Sequence, residues 1–192
     1  MVEALDLVND HLDLAKLAAG RTTVRLAHVD IGELFTTLRA IVTRLPAGPG
    51  VELIVDDAHS LPVLRTDAFK LGQILRNFTV NALKFTAAGH VRISARTVDD
   101  GARVRFEVAD TGPGLSAEDQ QRVFEEFVQL GAERHGALRG TGLGLPLTRR
   151  LAALLGGDIS VRSTLGEGAT FAATIPVRYP SDIEGVDIVE EG

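Results

Sequence analysis

The stretch "NFTVNALKF", residues 77–85, decides how the chain folds. Leu71, Ile74, Leu75, Phe78, Ala82 and Phe85 recur at i, i+3, i+4 spacing, which predicts a helix with one buried arc. Asn77, Asn81 and Lys84 fall within roughly 60° of one another at about 100° per residue. They lie along the edge of that arc. A carboxamide beside a core is costly unless something bonds to it. Either other protein groups satisfy these amides, or a ligand does. The helix is capped by Asp67 and is expected to end near Gly89.

Working outward, "VELIV" at 51–55 and "LPVLR" at 61–65 predict short strands before this helix. Residues 21–30 look extended, residues 30–45 form a helix capped by Asp30, and "PAGPG" at 46–50 is a loop. After the helix, "HVRISARTV" and "RVRFEVAD" alternate with period two across "DDGA", a hairpin. Ser116 and Asp119 resemble a capping box, which predicts a short helix to about Phe127. Residues 128–140 are Gly-rich and polar, a mobile loop by composition. A helix starts near Leu145, with Pro146 in a first turn that tolerates proline, and ends at Gly156-Gly157. "DISVRS" and "ATFAATIPV" then flank the turn "TLGEG". The fold class is α+β: a two-layer sandwich of one mostly antiparallel sheet with helices on one face.

Two terminal pieces fall outside this body. Residues 1–20 form a protruding helix, because Leu5, Val8, Leu12, Ala15 and Ala19 make a heptad seam that Gly20 stops. The segment 179–192 is acidic and without periodicity, and is expected to be disordered. The body spans 21–178. The chain has 192 residues, a net charge of -6 and no cysteine. This balance does not favour nucleic acid, and the missing thiols exclude disulfides and thiolate metal sites. No apolar run reaches the roughly 20 residues that cross a bilayer, and Glu3 and Asp6 interrupt any signal peptide. The default compartment is cytoplasmic.

Three further stretches can carry chemistry. "DTGPGL", residues 110–115, follows a strand; Gly112 and Gly114 let a flat ligand approach the backbone, and Asp110 can accept from an amine. Taken alone it is equally an ordinary Asp-Gly turn. "GTGLGL", residues 140–145, runs into a helix whose first amides can hold phosphate. Its G-x-G-x-G spacing argues against a dinucleotide-binding Rossmann turn, and no P-loop motif is present. "GEGATF", residues 166–171, puts Thr170 on a strand, expected to face the same cavity. Together with the Asn77/Asn81/Lys84 stripe, these pieces could enclose a nucleotide. Amide oxygens are hard ligands suited to Mg²⁺ bridging phosphates.

With these residues in view, the sequence resembles the catalytic, ATP-binding domain of sensor histidine kinases, in the GHKL superfamily with its Bergerat fold. "QILRNFTVNALKFT" resembles the N box, "DTGPGL" the first glycine box, "VFEEF" the F box, and "GTGLGLPLTRRLAALLGGDISVRSTLGEGATF" the second glycine box and following strands. The resemblance implies that Asn81 coordinates Mg²⁺, with Asn77 supporting it and the phosphates. It implies that Lys84 contacts phosphate, that Asn77 and Lys84 act in catalysis, and that Phe85 lies near the base. Asp110 would bind the adenine amine, with Gly112 and Gly114 shaping the pocket. Gly140, Thr141, Gly142, Leu143 and Gly144 would close over the triphosphate. Phe124 and Phe127 would anchor the ATP lid, and Thr170 would support the adenine.

The implied reaction moves the γ-phosphoryl group of ATP to a histidine, and then to the receiver domain of a response regulator. Residues 1–20 are similar to the second helix of the dimerisation and phosphoacceptor hairpin, which implies a homodimer in the full-length protein. It also fits the cytoplasmic part of a membrane-bound sensor. None of His11, His28, His59, His90 and His135 is followed by an acidic residue in the acceptor context, so the acceptor helix lies elsewhere and this chain is not expected to label itself. Two alternatives stay open: a self-sufficient GHKL ATPase, and a non-catalytic, nucleotide-dependent interaction module. The first relies on a glutamate base where this chain has Asn77.

Overall fold

A computed structural model describes residues 22–44, 48, 50–126, 128, 142–180, 183 and 186–190. The expected helix over 1–20 and the loop over 128–140, apart from residue 128, lie outside them. The main body is a five-stranded sheet in the order β2-β4-β5-β7-β6. Its strands are β2 (Val51–Val55), β4 (Gly89–Val98), β5 (Arg103–Asp110), β6 (Asp158–Thr164) and β7 (Gly168–Pro176). All pairs are antiparallel except β2 with β4. The expected hairpin is present, with Val98 opposite Arg103.

Period-two alternation on β5 buries Val104, Phe106 and Val108, which leaves Arg103, Arg105 and Glu107 on the other face. Helices α1 (Ile31–Val42), α2 (Ala68–Phe85) and α4 (Gly144–Leu154) pack over the buried face, with α2 against both other helices and β5. Phe78 of α2 reaches Phe171 of β7 at 5.6 Å between ring centroids. The opposite face is open. There Arg105 pairs with Glu107 at 2.7 Å and Arg103 with Asp158 at 3.3 Å. These are the compensated charges of a solvated surface.

The sequence suggested one sheet; the structure has two. A three-stranded sheet in the order β3-β1-β8 joins β1 (Thr22–Val29), β3 (Leu64–Thr66) and β8 (Val186–Glu190). Ala27 pairs antiparallel with Thr66, and Thr22 pairs parallel with Val186. The small sheet is tied to the large one where the chain leaves β7. Arg65 N–H donates to Val177 O at 2.8 Å and Tyr179 N–H to Arg65 O at 3.1 Å. β8 corrects the expectation of a disordered tail. Its side chains are mostly exposed, so backbone pairing rather than apolar burial holds it, and hydropathy carries no trace of that.

Element ends follow local chemistry. Asp67 caps α2 by accepting from Lys70 N–H at 3.0 Å. The helix stops at Phe85, earlier than expected, because Thr86 is already extended at φ -91, ψ 111. β3 begins only at Leu64, after Pro62, whose missing N–H cannot serve a ladder. α3 (Ala117–Arg122) is capped by Ser116 and ends at Val123, short of the expected Phe127. There the chain turns so that Phe124 meets Phe171 edge-on at 6.2 Å and Glu126 reaches Arg150 at 2.6 Å.

Candidate functional site

Asn77, the first residue of the amide stripe on α2, meets the start of α4. Asn77 Nδ2 donates to Gly144 O at 3.3 Å. That answers half of the question its position raises: one carboxamide has a protein acceptor for its NH₂, and its oxygen has no partner among the described residues. Asn81 lies one turn on, half-buried. Among the described residues, nothing bonds to its amide. α4 starts at Gly144 with no side-chain cap, because Leu143 occupies the N-cap position. The N–H groups of Gly144 and Leu145, ahead of Pro146, have no side-chain partner among the described residues, at the end where the helix dipole is positive. The Leu143 side chain is 1% exposed and belongs to the core, so only its backbone remains a candidate to meet a ligand.

The far end of α2 meets the first glycine turn. Lys84 Nζ lies 5.6 Å from the centroid of the Phe85 ring. A Cβ added to Gly112 would come within 3.1 Å of Phe85 O, so the turn packs directly on the helix end. At the end of β5, Asp110 Oδ1 accepts from Gly112 N–H at 2.8 Å and from Ala169 N–H at 3.3 Å. Burial raises the Asp110 carboxyl above its ordinary 3.8, and the two backbone donors only partly offset this. Among the described residues, no protein donor reaches its second oxygen. A carboxylate so oriented can accept from an exocyclic amine.

The first glycine turn and the β6–β7 turn lock together. Gly166 N–H donates to Pro113 O at 2.8 Å. A Cβ on Gly114 would lie 2.0 Å from Thr164 O, and one on Gly168 would lie 1.9 Å from Asp110 O. Gly168 and Ala169 therefore belong to the site, although sequence reasoning singled out their neighbour. Thr170 is corrected: it pairs with Ala109 and Arg162, which puts its side chain on the open face of the sheet, away from that of Asp110. Residues from Asp110 to Thr170 still border a shallow cleft of about 220 Å³ at the β6–β7 edge.

The structure thus brings Asn77 to Gly144, and Phe85 to Gly112 and Asp110. Gly142 is described at φ +71, while Gly140, Thr141 and Phe127 lie outside the described residues. Among the described residues, no group of three or more His, Cys, Asp or Glu could hold a metal. The chemistry that would suit Mg²⁺ is instead that of the carboxamides: Asn77 and Asn81 lie one turn apart on α2, and Asn77 meets the start of α4. Such a set leaves the remaining coordination to phosphate oxygens and water.

A two-layer α+β body with a paired-amide helix set between two glycine turns defines a nucleotide-binding class of protein. Residues 66–179 match the family described as "Histidine kinase-, DNA gyrase B-, and HSP90-like ATPase", and the chain belongs to that family. It is 33% identical over 181 residues to hybrid signal transduction histidine kinase B of Dictyostelium discoideum, covering 92% of this chain and 9% of the relative. It is 37% identical over 175 residues to the circadian input-output histidine kinase CikA of Synechococcus elongatus, covering 90% and 23%. Among solved structures, full-length ShkA in complex with AMPPNP superposes with a TM-score of 0.78 at 40% identity, covering 90% of this chain and 35% of that one. The chain thus spans less than a quarter of the length of these two curated relatives.

Proposed function

We propose that this chain binds ATP with Mg²⁺ and presents its γ-phosphoryl group to a histidine on a phosphoacceptor helix, as the catalytic domain of a sensor histidine kinase. The observation that carries the reading is the Asn77–Gly144 bond, which sets the amide stripe of α2 against the uncapped start of α4. In this reading, Asp110 accepts from the adenine amine, and Phe85 and Gly112 form the wall beside the base. The carboxamide oxygens of Asn81 and Asn77 hold the cation, and Lys84 offsets phosphate charge. Magnesium held there would supply positive charge against the negative charge of the phosphates. The backbone of Gly142 to Gly144, with Gly140 and Thr141, closes over the triphosphate.

Phosphoryl transfer asks mainly for positioning and charge neutralisation. The acceptor imidazole nitrogen forms the new P–N bond, the bond from the γ-phosphorus to the bridging oxygen breaks, and ADP leaves. No base is needed on this chain. An amide at position 77 cannot activate water, which disfavours a self-sufficient ATPase. The acceptor helix, a homodimer built on the dimerisation hairpin and the receiver domain of a response regulator complete the proposed system, in the cytoplasm. No described helix is long and apolar enough to cross a membrane.

Two measurements test this. Calorimetry with Mg²⁺ and AMPPNP should give saturable binding that weakens when Mg²⁺ is chelated. γ-Labelled ATP should transfer acid-labile phosphate to an added phosphoacceptor hairpin and not to the isolated chain. No heat of binding refutes nucleotide recognition. Binding without transfer to the hairpin refutes the kinase and leaves the interaction module. Rapid steady-state hydrolysis by the chain alone points to the ATPase.

A further inference from the structure

The geometry points to Gln120 and Ser163 as positioning residues for base recognition, a clamp that sets the Asp110 carboxylate through the β6–β7 turn. β6 is the edge strand of the large sheet. An edge strand leaves every second residue's N–H and C=O without a ladder partner. At Ser163 that deficit is met by a side chain. Gln120 Oε1 accepts from Ser163 N–H at 3.1 Å, and Gln120 Nε2 donates to Ser163 O at 3.0 Å. One carboxamide thus replaces one rung of a missing strand. The same Nε2 also lies 3.3 Å from Leu115 O and 3.4 Å from Ser116 O, so α3, the first glycine turn and β6 meet at this amide.

The Ser163 hydroxyl carries the connection inward. Its Oγ accepts from Leu115 N–H at 2.7 Å and donates to Gly168 O at 2.6 Å. Ala169, the register partner of Ser163, donates its own N–H to Asp110 Oδ1. The path from Gln120 to Asp110 therefore runs through hydrogen bonds and a single strand pair, and each member is half-buried or better. Nothing in it touches the Asn77/Asn81 end of the site. The clamp should act on the base and not on the triphosphate. This rests on the nucleotide reading above for its ligand, though not for its geometry.

The test uses Ser163→Ala, Ser163→Thr and Gln120→Leu in the full chain. Ser163→Ala leaves Leu115 N–H and Gly168 O without their partner, and losing a hydrogen bond that orients a charged acceptor corresponds to about tenfold in affinity. Mg²⁺–AMPPNP binding should fall about tenfold in Ser163→Ala and Gln120→Leu. It should recover in Ser163→Thr, which keeps the hydroxyl. Inorganic tripolyphosphate with Mg²⁺ should bind all four proteins alike. Equal weakening of AMPPNP and tripolyphosphate, in step with a lowered Tm, would make the role merely structural and overturn the inference. In the ligand-free proteins, amide exchange at Gly112 and Ala169, both held by Asp110, should rise about tenfold in Ser163→Ala. Unchanged exchange overturns the clamp whatever the nucleotide does. Wild-type chain that binds no AMPPNP yet shows this exchange change would defeat the nucleotide reading and leave the clamp standing.

Discussion

Gly168→Ala and Gly166→Ala form a matched pair that isolates the close approach at the heart of the site. Both glycines sit in the β6–β7 turn at similar positive φ, +83 for Gly166 and +93 for Gly168. Alanine pays the same conformational penalty at each, about 1–2 kcal/mol. They differ in what a new methyl would meet. At Gly166 nothing lies within 4 Å; at Gly168 the carbonyl oxygen of Asp110 lies at 1.9 Å and its carbon at 2.8 Å. Both neighbours are backbone, so no rotamer can relieve the clash. Forcing atoms into a packed site adds about 1–3 kcal/mol. Gly166→Ala should therefore cost about 1–2 kcal/mol, and Gly168→Ala about 2–5 kcal/mol. For a domain of this size, the difference of about 1–3 kcal/mol corresponds to some 2–12 °C in Tm. Urea denaturation of the two variants side by side measures it. Because the displaced atoms are the backbone of Asp110, Gly168→Ala should also weaken AMPPNP binding at least tenfold, while Gly166→Ala leaves it near wild type. Equal stability and equal affinity in the two variants would refute the steric argument outright.

Asn81→Leu should abolish the Mg²⁺-dependent part of AMPPNP affinity with little change in Tm, since its amide has no partner among the described residues; Asn77→Leu should lose affinity and also about 1 kcal/mol of stability with the Gly144 bond, as thermal melts and calorimetry together would reveal. Burial pushes the Asp67 carboxyl up, but donors from Arg25 and Lys70 outweigh it and hold the pKa below 3.8. Its contribution is therefore present above 3.8 and lost as pH falls through the lowered value; Asp67→Ala should cost about 2–4 kcal/mol at pH 7 and flatten the acid limb of the stability profile. Asp110 has the opposite sign: its raised pKa means that ionisation costs stability, so its favourable contribution is present below 3.8 and lost as pH rises through the raised value. Nucleotide affinity should run the other way, falling as pH drops through that value, and Asp110→Asn should remove the dependence in a pH series of titrations.

The sequence makes the helices and the hairpin legible because caps and periods agree there. Asp30, Asp67 and Ser116 each bond an amide of their first turn, and the arc of Leu71, Ile74, Leu75, Phe78 and Ala82 is buried as its spacing requires. The contact of Asn77 was legible because a polar group at the edge of an apolar arc needs a partner, and Gly144 O supplies one. What is not legible is what register alone decides. In "ATFAATIPV", period two puts Thr170, Ala172 and Thr174 on one face and Phe171, Ala173 and Ile175 on the other, but only the pairing of Thr170 with Ala109 says that Asp110 lies with the second set. The division into two sheets depends on how the chain after β7 meets Arg65, a backbone contact without a side-chain signature. Gln120 looks like a solvated helix residue, since its partners are main-chain atoms 43 positions away.

The arrangement places the whole candidate site under the control of one helix. α2 is held at its start by Asp67, which accepts from Arg25 N–H in β1 at 3.0 Å. It is held along its length by Asn77 on α4 and at its end by the packing of Phe85 O on Gly112. Eight residues separate Asn77 from Phe85, about 12 Å along a helix rising 1.5 Å per residue. The Asn77 and Phe85 ends, proposed to hold the cation and the base, are thus fixed relative to each other by hydrogen-bonded backbone, which bends little. The β6–β7 turn, by contrast, meets the base end through Gly166 on Pro113 and Ala169 on Asp110, and Ser163 and Gln120 brace it from the β6 edge. A rigid helix can define the length of the ligand, and an edge-strand clamp can define its base. The two requirements sit on separate elements, so substitutions at Gln120 and at Asn81 should combine additively in binding free energy. A double variant whose loss differs from the sum of the single losses by more than about 0.5 kcal/mol would show that the two ends are not independent.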